Sequence, residues 1–154
     1  MTDLQLQPDS TDQTDAMAVS VRDAILDVVG ATHDDVHLGE RVGLAQTSVA
    51  LHFTDAGGVG ATLLLDRRPP EAIARILPDA ESSIHATTEQ WDSFWGGEYP
   101  LAMGMARLEV SFTGPVRKFL RVVPILRSLA PVYRQIQVRY ALEGGGTSAL
   151  AGRA

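Results

Sequence analysis

Metal-ligating side chains come closest together at Thr32-His33-Asp34-Asp35-Val36-His37, where His33 and His37, at i and i+4, would share a helix face with a carboxylate beside them. A zinc or iron site needs more than that. No third His, no Cys and no HExxH pattern completes the set, and Gly30 and Gly39 bracket the stretch as a loop. His52 and His85 stand alone in alternating segments and read as surface residues. Gly57-Gly58-Val59-Gly60 lacks the lysine of a phosphate-binding GxxxxGK[ST] loop and reads as a turn between strands. No serine occupies a GxSxG elbow, and no carboxylate pair sits in an apolar run as an acid/base couple. The residue types point away from catalysis and from a bound metal or cofactor.

Composition narrows the choice further. The chain has 154 residues, fits one domain, and has no Cys, which excludes disulfides and thiolate metal sites and suits a reducing compartment. No apolar run nears the roughly 18 residues of a membrane span, and Met1 to Asp15 lacks the layout of a secretion signal, so the cytoplasm is expected. The net charge of −6 argues against nucleic acid. That charge is unevenly placed: residues 1–40 carry nine acids against Arg22, whereas residues 115–140 carry six bases (Arg117, Lys118, Arg121, Arg127, Arg134, Arg139) and no acid.

Loose tails are expected over 1–15 and 141–154, around a folded domain at 16–140. Met17, Val21, Ala24, Ile25, Val28 and Val29 keep helical spacing, capped by Thr14 or Asp15 and stopped at Gly30. Ser48 to Phe53 alternates as a strand and turns through Thr54–Gly58 into a second, with Ala61, Leu63 and Leu65 on one face. Glu71 to Leu77 fits either a helix or an edge strand, with extended structure favoured, and Ile84 and Ala86 mark a further strand. Thr87-Thr88-Glu89-Gln90 is a capping box that opens a helix ended by Gly96-Gly97. On that helix Trp91, Phe94 and Trp95 form one aromatic stripe. Pro100 starts a short helix through Met105, and Leu108 to Thr113 alternates as a strand. After Gly114-Pro115 an amphipathic helix runs from Val116, with Pro124 expected to kink or restart it and Pro131 to disturb it again. Such an order predicts an α+β fold with helices on one face of a mostly antiparallel sheet. The segment from Trp91 to Tyr133 has no His and no Cys and is dense in large apolar side chains, which suits either plain core or the wall of an apolar cavity.

In this order of elements, and above all in WDSFWGGEYPLAMGMARLEVSFTGPVRKFLRVVPIL, the chain resembles the sterol carrier protein type 2 family over about residues 17 to 140. The resemblance implies a five-stranded sheet with helices over one face, enclosing an apolar tunnel for a sterol, fatty acid or fatty acyl-CoA, and non-enzymatic binding or transfer of that lipid. It carries the lining onto Trp91, Phe94, Trp95, Leu101, Met103, Met105, Val110, Phe112, Phe119, Leu120 and Val123. The basic helix adds a patch, Arg117, Lys118 and Arg121, for transient contact with a headgroup or an anionic membrane. Two departures stand out: Leu108 where relatives often have Gly, and the prolines of the closing helix. The terminal Ala-Gly-Arg-Ala differs from the Ser-Lys-Leu peroxisomal address of some relatives. Two other functions remain open at this point: an interaction module whose cleft holds a partner, and a metal-dependent enzyme built on His33 and His37.

Overall fold

The computed structural model describes residues 10–153, with side chains described for 11–143. Helix α1 spans Ser10–Ala31 and runs through a short 3-10 turn, Thr32–Asp34, into α2 at Val36–Gly43. Strands β1 (Ser48–Phe53), β2 (Gly60–Leu64), β3 (Glu71–Ile73) and β4 (Ser82–Ala86) follow, then α3 (Thr88–Trp95), α4 (Leu101–Ala106), β5 (Ser111–Thr113), α5 (Val116–Arg127) and α6 (Ala130–Arg153). The two terminal helices reach into segments expected to be loose. Residues 10–15 belong to α1 and 141–153 to α6, while residues 1–9 lie outside the described residues.

The five strands lie in the order β3-β2-β1-β4-β5, with β1–β2, β2–β3 and β4–β5 antiparallel and the central β1–β4 pair parallel. Register decides which face is apolar, because side chains alternate along a strand and a slip of one residue would turn the core outward. Here Ala61, Leu51, Ile84 and Phe112 form one row across four strands. The neighbouring row, on the opposite face, is Gly60, His52, His85 and Ser111. The first face carries the core, with α1 and α3 packed against each other above it and Val49, Phe53, Leu63 and Leu65 joining from the strands. The second face is partly covered by the chain after β3. Thr62 donates its hydroxyl to the Arg75 carbonyl (2.8 Å) and accepts the Leu77 N–H (2.9 Å), and Ile76 occupies the space over Gly60 that a side chain there would need.

Local signals account for most boundaries. The capping box forms as expected: Thr87 Oγ1 accepts the Gln90 N–H (3.2 Å) and Gln90 Oε1 accepts the Thr87 N–H (2.8 Å). Helix α2 was not expected, since its first residues read as part of a loop between Gly30 and Gly39. Asp35 caps it by accepting the Leu38 N–H at 3.1 Å, and Val42 is buried beneath it. Pro124 does not break α5, which runs on to Arg127; the interruption falls at Ser128–Leu129. Pro131 sits in the first turn of α6, where its missing N–H has no helical partner to lose. The strand expected over Leu108–Thr113 is shorter, because Leu108 takes a left-handed backbone (φ 62°) and stands 91% exposed in the turn leaving α4.

Candidate ligand-binding region

Of the side chains expected to line a cavity, Trp91, Phe94, Trp95, Leu101, Val110 and Phe119 are buried in the common core, and Met105, Phe112 and Val123 are half-buried against it. Met103 and Leu120 are 48% and 60% exposed and point away from it. Helical geometry explains the split: on α5, Phe119, Val122 and Leu126 share the inward face, and Leu120 lies outside that stripe. The aromatic side chains form a continuous chain between layers. Phe53 on β1 meets Trp91 (6.2 Å between ring centroids), which meets Phe94 edge-on (6.2 Å), then Trp95 (6.0 Å) and Tyr133 on α6 (6.2 Å). Separately, Phe112 of β5 meets Phe119 of α5 in a tilted contact at 4.6 Å between centroids, joining the sheet's far edge to that helix.

The polar ends of these rings are treated unequally. Trp91 donates its indole N–H to the His52 carbonyl at 2.9 Å, and Tyr133 donates its hydroxyl to Asp92 Oδ1 at 2.8 Å. Burial first, and that carboxylate second, push the Tyr133 phenol well above its ordinary range, so it stays a donor. Gln137 also donates to Asp92, and Tyr140 donates to Asp27, fastening α6 to α3 and α1. Trp95 has no such partner. Its Nε1 is fully buried and meets no acceptor among the described residues, a situation that costs about 1–3 kcal/mol.

The basic patch is divided. Arg117 and Arg121 are exposed, but Lys118 holds both oxygens of Glu81 at 2.7 Å and reaches the Gln46 carbonyl at 3.4 Å. The bonds from Lys118 and then Thr47 keep the Glu81 carboxyl below its usual range. Lys118 therefore staples α5 to the start of β4, and the expected trio becomes a pair.

His33 and His37 do not converge on a metal. His33 Nε2 lies 2.5 Å from the Pro70 carbonyl, and no three His, Cys, Asp or Glu are grouped as ligands among the described residues. His52 and His85 are not plain surface residues either. They are half-buried and stack at 4.0 Å, nearly parallel (12°), between Gly60 and Ser111 in the same row. Burial first, then the neighbouring His85, lower the His52 pKa. The unfolded chain therefore takes up a proton that the native ring resists, so stability from this site is complete above about pH 6.5 and lost as the pH falls through and below that value. Unfolding free energy measured between pH 8 and 5 should decline in the parent and flatten in this window in His52→Gln. An unchanged pH slope would show that His52 does not titrate as described.

No protein-family model and no curated protein matches the sequence itself. The three-dimensional arrangement does find relatives. Sterol carrier protein 2 from Yarrowia lipolytica, in its apo form, superposes with a TM-score of 0.57 at 15% identity, over 71% of this chain and 89% of that one. The chain has the sterol carrier protein 2 fold. Sterol carrier protein domain 2 of Helicoverpa armigera agrees, with a TM-score of 0.54 at 7% identity over 66% of this chain and 80% of its own. At such identities the sterol carrier protein 2 likeness is one of architecture, the five-stranded sheet with its helices. Among the described residues no helix is long and apolar enough to cross a membrane.

Proposed function

We propose that the protein binds a lipid (a sterol, fatty acid or fatty acyl-CoA) without catalysis, in the apolar layer between the sheet and helices α3 to α5, and passes it to a membrane. The observation that carries this reading is Trp95: a buried N–H donor with no acceptor among the described residues, set in an otherwise apolar aromatic chain, which a ligand's carbonyl or hydroxyl oxygen would satisfy. The names of the structural relatives, sterol carriers both, support the class of ligand. Because the lining side chains are packed together, binding on this reading requires α5 to move off the sheet. The half-buried Met105, Phe112 and Val123 mark the edge where it would part. Burying a dozen methylenes would contribute roughly 10 kcal/mol before ordering costs, enough to drive such an opening. At the membrane, Arg117 and Arg121 would meet anionic headgroups, with Lys118 held back by Glu81.

Titration with fluorescent fatty acid and sterol probes, following the emission of Trp91 and Trp95, tests the reading directly. Saturable binding with a tryptophan response is expected, lost from the Trp95 contribution in Trp95→Phe. The double change Arg117→Glu, Arg121→Glu should slow delivery to anionic vesicles and leave probe affinity unchanged. Absence of both binding and emission change up to millimolar probe would sink the carrier function.

A further inference from the structure

The unexpected helix α2 opens a second place for a ligand. Its positions 36, 39, 40 and 43 share one face at helical spacing, and two of them, Gly39 and Gly43, carry no side chain. Between that face and the loop Arg68-Pro69-Pro70 lies a groove of about 420 Å³, walled by Val36 and Leu44 on one side and the two prolines on the other. Its size falls in the range typical of small-molecule sites, roughly 300–1,000 Å³. His33, bonded to the Pro70 carbonyl, ties the two walls together. The groove shares Gly43 and Arg68 with a neighbouring cavity of about 270 Å³, so the open space is elongated and Arg68 stands where the two meet.

The side chains here specify an occupant. Val36 and Leu44 are large apolar groups left exposed, a cost to a free surface that a hydrocarbon chain would recover. Gly39 lies close under the Thr32 carbonyl and Gly43 faces open space, so the floor of the trough has no side chains and leaves room for an unbranched chain. Arg67 is held by Glu71 at 3.2 Å, whereas no carboxylate of the described residues pairs with Arg68. Glu40 lines the groove and Asp66 the adjoining cavity, so two acids flank Arg68 and a headgroup of one negative charge is repelled less than one of two. We propose that this groove binds a long-chain fatty acid, its alkyl chain along Val36, Gly43 and Leu44 and its carboxylate on the Arg68 guanidinium. The site needs no opening of the core and stands apart from the interior layer.

Gly43 supplies a clean test, because a Cβ added there meets nothing within 4 Å. Gly43→Leu fills the trough while improving helix propensity, so the variant should melt no lower than the parent. Binding of a naturally fluorescent long-chain fatty acid, and of its methyl ester, would be measured on the parent, Gly43→Leu and Arg68→Gln. Gly43→Leu should remove one of two binding sites per chain for both ligands; Arg68→Gln should weaken the acid at that site about tenfold and leave the ester unchanged. If both variants bind the acid like the parent while tryptophan emission responds, the groove is refuted and the interior site stands. Failure of the parent to bind either probe overturns both sites.

Discussion

Replacing Trp91 by alanine should lower the unfolding free energy by about 3–5 kcal/mol, among the largest effects a single side chain in this domain can have. Trp91 is fully buried, touches both the strand layer through Phe53 and the helix layer through Phe94, and spends its one donor on the His52 carbonyl. Its loss would leave a void at the junction of the layers and remove that bond. The contrast with Trp95 makes the test sharper. Phenylalanine at 91 sacrifices a made hydrogen bond, whereas phenylalanine at 95 removes a donor that has no partner, so Trp91→Phe should be the more damaging by about 1–3 kcal/mol. Denaturant unfolding of the two variants decides it; equal losses would mean that the Trp95 N–H is satisfied in solution.

Gly114→Ala should cost about 3 kcal/mol although it adds a single methyl group. Gly114 turns the chain from β5 into α5 with φ at 130°, a region that residues with a Cβ rarely enter. A Cβ there would also lie 2.8 Å from Ser82 Oγ and 3.0 Å from the Glu81 carbonyl and Ser82 Cα, against the backbone of β4. Strain and overlap add, and two of the three neighbouring atoms belong to the backbone, which cannot swing aside. The denaturant midpoint should fall with an unchanged slope. A loss under about 0.5 kcal/mol would contradict the close approach of this turn to β4.

Where a local rule acted on contiguous residues, the sequence was readable. The capping box at Thr87, the hairpin from Ser48 and the aromatic stripe of α3 appear where patterning places them. Leu108 to Thr113 misled because alternation is necessary for a strand and not sufficient: Leu108 is apolar and in phase, yet the chain leaving α4 spends it in a left-handed turn. Helix α2 went unseen because Gly30 and Gly39 read as the brackets of a loop, although Asp35 before it and the spacing of Leu38, Val42 and Ala45 carried the opposite signal. The candidate site was legible as an apolar inventory. What no pattern reveals is orientation around α4 and α5, which turns Met103 and Leu120 outward, or the Glu81 that claims Lys118 from 37 residues away. The α2 groove was invisible for the same reason: its walls come from two segments that only the fold brings together.

The parallel pairing of β1 with β4 bears on how this chain reaches its native state. The β1–β2 hairpin closes a short loop and can form on the microsecond scale. Val49 cannot meet Ser82, nor Phe53 meet Ala86, until the chain holding β2 and β3 has been looped out between them. The middle of the sheet is thus its most non-local part, and β5 has an edge to join only after β4 is seated. Folding is paced by that central seam, while the exposed flank of β1 waits for a partner still far along the chain.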